Sequence, residues 1–163
     1  MRFRIEQRFE RSVDDVEAVL CDPAFIDSMA KLPKLGRPQL LEHTDDGGIV
    51  HMRIRYAFVG ELSSAVRRVV DPARLTWVED QTTDRRTHQS RFTILPDNYA
   101  ALLRCDGRFT LTPDGDHGAV RTTDGDIEVS VPFVGGKVER AIVSGLEEHA
   151  EAEEDLVRDW FSA

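Results

Sequence analysis

The sequence predicts an α+β fold in which a curved antiparallel sheet of about seven strands wraps around one long C-terminal helix. Three observations carry that prediction. Residues 134–161 form about seven turns of amphipathic helix, entered through Pro132-Phe-Val-Gly-Gly136. Before them the chain reads almost entirely as segments that alternate apolar and polar side chains at the period of a strand, separated by turn residues. Two short helical patterns separate the first strand from the rest.

Phe3, Ile5 and Phe9 recur at period two with Arg2, Arg4, Glu6 and Arg8 opposite, so the first strand has one buried face, and Gln7 falls on it. Ser12 stands three residues before Asp15 and ahead of Val16, Val19 and Leu20. It is an N-cap that opens a short helix, which Asp22-Pro23 ends. Phe25, Ile26, Met29 and Leu32 give a second short helix, stopped by Pro33. Gln39 to His43 and Ile49 to Val59 pair across the turn Asp45-Asp-Gly-Gly48, with Val50, Met52, Ile54, Tyr56 and Phe58 on one face. Leu62, Ala65, Val66 and Val69 have helical spacing; Val66 to Val70 also reads as a strand, and a short helix is favoured.

Leu75 to Gln81, Thr87 to Leu95, Ala101 to Thr112 and Ala119 to Val131 complete the strands, with Gly125 expected as a bulge in the last. On the closing helix, Val138, Ile142, Gly145, His149, Ala152, Leu156 and Trp160 fall within one stripe. Arg140, Glu147, Glu151, Glu154 and Arg158 lie opposite, so one face is expected to be buried along its whole length. Glycine inside a helix costs about 1 kcal/mol relative to alanine. Gly145 at the centre of the stripe therefore signals a need for space, for a neighbouring strand or for a ligand.

With 163 residues, 40% of them hydrophobic, the chain is expected to form a single domain spanning 1–163, with a core large enough to hold a cavity. Thirty carboxylates against twenty-one basic residues give a net charge of -9, which disfavours nucleic acid and anionic membranes unless a basic patch overrides the mean. Arg85-Arg86 with Arg91 is too sparse to be one. No apolar run approaches the roughly 20 residues a membrane helix needs, and the N-terminus alternates at once, without the apolar core of a signal peptide. A cytoplasmic protein without stable membrane insertion is expected. Cys21 and Cys105 lie far apart and are expected to be reduced and inert.

The order strand, two short helices, six strands and long C-terminal helix resembles the START-like (SRPBCC, helix-grip) superfamily of lipid-transfer domains, polyketide cyclases and plant pathogenesis-related proteins. Within it the chain resembles an uncharacterised bacterial family. The likeness rests on Arg74-Leu-Thr-Trp-Val-Glu79, Val131-Pro-Phe-Val-Gly-Gly-Lys-Val-Glu139 and the closing Glu-x-x-x-x-x-Asp-Trp of Glu153 to Trp160. What the resemblance implies is a tunnel between sheet and last helix that accepts an apolar molecule. A lipocalin barrel does not accommodate two helices after the first strand, and a ketosteroid-isomerase cone places its long helix first.

His149 is the residue to single out, because it sits near the middle of the stripe, one turn beyond Gly145 and two beyond Ile142, where the tunnel would lie. An imidazole there can bind the polar end of a ligand or act as acid or base; a packed histidine satisfied by one partner is the competing reading. With Glu153 it makes two ligands of a metal site that lacks a third, and no motif calls for a metal or cofactor. Tyr56, Trp77, Glu79, His88, Ser90 and Cys105 fall on strand faces that also carry large apolar residues, where polar groups must pair with one another, with water or with a ligand. Glu79 beside Trp77 is the best candidate for a carboxylate of raised pKa.

Gly135-Gly136-Lys137 fits either an anion cradle or a close turn of the helix off the last strand, the latter favoured. Asp114-Gly-Asp116 and Asp124-Gly-Asp126 lack the glutamate of a calcium loop, and no Gly-x-Ser-x-Gly elbow occurs. The first functional expectation is carriage of a small hydrophobic, lipid-like or aromatic ligand. A cyclase or hydratase using His149, Glu79 or His88 ranks second. An interaction module whose cavity its own side chains fill ranks third.

Overall fold

In the computed structural model, which describes residues 1–163, β1 (Arg2–Phe9) leads into α1 (Val13–Leu20) and α2 (Pro23–Ser28). Six strands follow: β2 (Gln39–Asp45), β3 (Ile49–Ala57), β4 (Thr76–Asp84), β5 (Gln89–Pro96), β6 (Leu103–Asp114) and β7 (Gly118–Val129). The one-turn helix α3 (Ser64–Arg67) sits between β3 and β4, and α4 (Gly135–Ser162) closes the chain. The strands form one antiparallel sheet in the order β1-β7-β6-β5-β4-β3-β2, curved around α4. Each strand from β2 on pairs with its successor, and β1 returns to the far edge beside β7.

Local chemistry sets the boundaries. The Ser12 hydroxyl accepts from the Asp15 amide at 3.2 Å to open α1. Asp22 caps α2 by accepting from Ala24 at 2.8 Å, with Pro23 in the first helical position. Ser63 caps α3 in the same way through the Val66 amide, so residues 64–67 are helical as favoured. Among the helices, none is long and apolar enough to cross a membrane.

Three expectations need correction. The strand expected from Thr87 begins at Gln89, because Arg85 to His88 are the β4–β5 turn and His88 adopts φ 54°. Gly125 is no bulge: β7 pairs residue for residue with β6 and β1 through it, opposite Gly107 and Phe3. A Cβ on Gly125 would run into the Phe3 ring, so close approach is what the position requires. The irregularity lies instead at Leu41 in β2. Finally, the most deeply buried residues of α4, Gly135, Ala150, Glu153 and Val157, define a line rotated by roughly 80° from the expected stripe.

The core is uneven. Sixteen buried residues, from Phe9, α1, the segment Cys21 to Leu32, β3, Leu111, Ala119 and Val157, form one cluster, in which Val16, Phe25 and Val50 are fully buried. Trp160 at the end of α4 meets Phe25 edge-on at 5.6 Å. The other end has only Phe92, Cys105 and Ile127 fully enclosed. Half-buried Phe3, Ile94, Phe109 and Ile142 surround them.

Candidate functional site

A cavity of about 530 Å³ lies between the concave face of the sheet and α4, and 34 of its 53 lining residues are hydrophobic. Strand alternation sends Tyr56 from β3, Trp77 and Glu79 from β4, Ser90 from β5 and Cys105 from β6 into it. Ile142, Gly145 and His149 line it from α4, and His88 reaches it from the β4–β5 turn rather than from a strand. All nine of these residues thus border one cavity. A Cβ built on Gly145 meets nothing within 4 Å. Its space is cavity, and no strand uses it.

The polar side chains of the cavity divide by whether the protein satisfies them. Arg121 on β7 pairs with Glu153 on α4, and its Nε donates to Gln7 Oε1 at 2.7 Å. Gln7 Nε2 donates to Glu153 Oε2 at 3.0 Å and to the Ala150 carbonyl at 2.8 Å. This network ties β1, β7 and α4 together. Thr83 and Ser90 share a hydrogen bond of 2.7 Å, and His88 Nδ1 meets Glu17 of α1 at 3.2 Å. The side chains of Tyr56, Glu79 and His149 have no such partner, and their polar atoms retain surface open to the cavity. Tyr56 stacks on Trp77 at 5.9 Å, which places Glu79 diagonally across the same face from Tyr56.

Burial and charge tune these groups apart. Burial pushes Glu79 up to about 7; the Glu153 charge adds to the rise and Arg121 opposes it. Tyr56 rises well above its ordinary value through burial and then through Glu79. Burial lowers His149, so its imidazole is neutral at pH 7 and offers one donor and one acceptor. Burial alone would raise Glu153, but the Arg121 charge and the hydrogen bonds from Gln7 and Arg121 outweigh it and hold the carboxylate ionised. Burial raises Cys105 to about 12 and Cys21 to about 11, which leaves both as thiols.

The suggested His149–Glu153 metal pair does not assemble, because Glu153 is occupied by Arg121 and Gln7. Asp14, Glu17 and His88 do bring three ligand atoms within 4.8 Å of one another. Glu17 meets Nδ1 of the imidazole and Asp14 faces Nε2, at opposite sides of the ring, so the trio does not converge on one ion. At the start of α4 the Val129 carbonyl fills the position that a Cβ of Gly135 would take, which is the close turn rather than the anion cradle. Arg121 was not among the expected site residues. Its signal was present, since it alternates in phase with buried Ala119, Thr123 and Ile127. The partner that makes an inward arginine tolerable lies 32 residues away on α4.

Solved structures of similar fold include norcoclaurine synthase from Thalictrum flavum, with a TM-score of 0.65 and 22% identity over 96% of this chain and 86% of that one. The Zhui aromatase/cyclase from Streptomyces sp. R1128 aligns at a TM-score of 0.62 and 15% identity, covering 96% and 90%. A START superfamily protein from Mycobacterium smegmatis aligns at 0.57 and 15% identity, covering 98% of both chains. These identities establish the shared START-like fold alone. No functionally curated protein matches the sequence. Residues 4–161 match the family described as protein of unknown function (DUF2505), and the chain therefore belongs to DUF2505, on a START-like fold.

Proposed function

We propose that the protein binds a small, largely apolar molecule carrying a hydrogen-bonding group, enclosed between the sheet and the first half of α4. The observation that carries this reading is the coincidence of an apolar cavity of ligand size with Tyr56, Glu79 and His149, three polar groups in its wall without protein partners. A buried polar group without a partner costs roughly 1–3 kcal/mol, so a ligand group that pairs with them recovers energy the empty site lacks. Trp77, stacked on Tyr56, and Phe92, stacked on Phe109 at 4.7 Å, offer flat apolar surface to a ring or chain. The START superfamily name of one structural neighbour supports a carrier.

The test is native mass spectrometry of the freshly purified protein with solvent extraction, together with titration of a fluorescent apolar probe. Gly145→Leu, which puts a side chain into the space, is expected to abolish probe uptake in a folded protein. Unchanged uptake by that variant would overturn the reading.

Catalysis is the second reading, favoured by Glu79, raised to about 7, and neutral His149 bordering the same cavity, two groups able to exchange protons with an enclosed substrate near neutral pH. The names of two neighbours, an aromatase/cyclase and a synthase, are consistent with it. Glu79→Gln separates the two readings: a carrier keeps uptake, whereas a catalyst keeps binding and loses turnover. The interaction module with a self-filled cavity is disfavoured by the open space beside Gly145.

A further inference from the structure

One opening of the cavity is flanked by exposed basic residues in a chain that is acidic as a whole. Val66, Val69 and Val70 of the α3 region line the cavity from one side, and Val131, Val138 and Ala141 from the other. Val69 is 43% exposed and Ala141 is exposed as well, so the cavity reaches the surface between α3 and the first turns of α4. Arg67 and Arg68 lie between the lining residues Val66 and Val69, and Lys137 and Arg140 flank the lining residue Val138; all four are exposed and none is in an ion pair. Elsewhere arginines are generally matched, as in Arg4–Asp124, Arg37–Asp27, Arg55–Asp97 and Arg85–Asp45. In a chain of net charge -9, four unpaired cations against the exposed acids Glu61 and Asp71 are a local excess of positive charge.

Apolar side chains stand among them. Phe133, between the lining residues Val131 and Val138, is fully exposed at 105% and held at φ 66°. Val59, next to the lining residue Phe58, is 63% exposed. A projecting phenylalanine beside arginines and a lysine combines the two forces that hold a protein on an anionic bilayer, attraction to headgroups and burial of apolar side chains at the interface. The net charge does not prevent this, because fields beyond about 8 Å are screened at physiological ionic strength.

We infer that the mouth between α3 and the start of α4 docks reversibly on an anionic lipid surface, with Phe133 inserted and Arg67, Arg68, Lys137 and Arg140 against the headgroups. Docked in this way, the cavity opens toward the acyl region, and an apolar molecule enters without crossing water. That consequence rests on the binding function proposed above; the docking itself does not.

The test is co-sedimentation with phosphatidylcholine vesicles, with and without about one-third phosphatidylserine. Binding is expected on the anionic vesicles, weakening steeply with salt. Arg67→Glu combined with Arg68→Glu should lower it at least about tenfold, since each basic residue near such a surface contributes severalfold. Phe133→Ser should lower it too. Arg91→Glu, which reverses an exposed cation on β5, should leave it unchanged. All are surface positions, and circular dichroism checks that each variant is folded.

Equal binding to both vesicle types, or an equal loss in Arg91→Glu, would overturn the inference. So would a dimer in solution that Phe133→Ser dissociates, since the surface would then join copies of this chain. Probe uptake measured without vesicles separates the two readings. Uptake without docking removes only this inference, and docking without uptake removes only the proposed function.

Discussion

The two halves of α4 share one amphipathic pattern and meet different surroundings. From Ala150 onward the helix is packed: Ala150, Glu153 and Val157 are buried, Val157 within the large cluster, and Trp160 packs on Phe25. From Gly135 to His149 only Gly135 is buried, while Val138, Ala141, Ile142, Gly145 and His149 line the cavity. One half therefore fixes the helix on the sheet, and the other roofs a space that the chain does not fill. Apolar periodicity reports that a face avoids water, without distinguishing protein from ligand on the other side. The unpartnered Tyr56, Glu79 and His149 border the unfilled part, and the satisfied Gln7–Arg121–Glu153 network stands at the junction.

Truncating the packed end should cost the most stability. Trp160 packs edge-on against fully buried Phe25 and does not line the cavity, so Trp160→Ala should destabilise by about 3–5 kcal/mol in denaturant titration. Probe affinity of the folded fraction should be little changed. A comparable loss of affinity would mean that the two halves of α4 are one unit and the division is false.

At the junction, Arg121→Met removes the cation that keeps Glu153 ionised and leaves a buried carboxylate unpaired, a change of about 3 kcal/mol at pH 7. Glu153 has a folded pKa below its unfolded value. The stability it contributes is present above the unfolded value and lost as pH falls through the folded one. The Arg121→Met variant should lack that acid-side loss. If wild type and variant respond alike to acid, the network is not what holds the carboxylate ionised.

Glu79, on the open side, should behave in the opposite sense. Its pKa rises from 4.5 to about 7 in the folded protein, so the folded state holds the proton more tightly. Stability is therefore full below the unfolded value and falls as pH rises from 4.5 to about 7, by roughly 2–3 kcal/mol, less where water enters the cavity. Glu79→Gln should remove that decline and be the more stable protein at pH 8. A ligand that donates a hydrogen bond to Glu79 should lower its pKa and reduce the decline in wild type. Parallel pH profiles for wild type and Glu79→Gln would show that the carboxyl is hydrated as in open solution.

How much of this was legible in the sequence depends on the range of the interaction involved. Alternation at period two is local, and it placed Tyr56, Trp77, Glu79, Ser90 and Cys105 on the cavity face. The caps at Ser12 and Asp22 are local too. His88 reads as strand because it is in phase with Ser90, Phe92 and Ile94; the strand begins one residue later, and a left-handed φ at histidine carries no sequence mark. Gly125 was misread because a bulge and a close approach both select glycine, and only the Phe3 ring across the β1–β7 pair distinguishes them. The helix stripe was rotated because its apolar residues serve two surfaces at once, the sheet through Ala150 and Val157 and the cavity through Ile142 and Gly145.

Gly145 gives the smallest effect and the sharpest discrimination between the halves. In a helix interior, glycine to alanine gains about 0.5–1 kcal/mol when the new methyl meets no obstacle. At Gly145 nothing lies within 4 Å of that methyl, so Gly145→Ala should be slightly stabilising in the absence of ligand and barely change uptake of a small probe. Gly145→Leu should keep most of the helix gain while blocking the space, so stability and uptake should separate along the series from glycine to alanine to leucine. If stability and uptake fall together, the space beside Gly145 is required for packing, and the roofing half of α4 is structural after all. If they separate, the sequence retains a residue that is suboptimal for the helix in order to keep the cavity open.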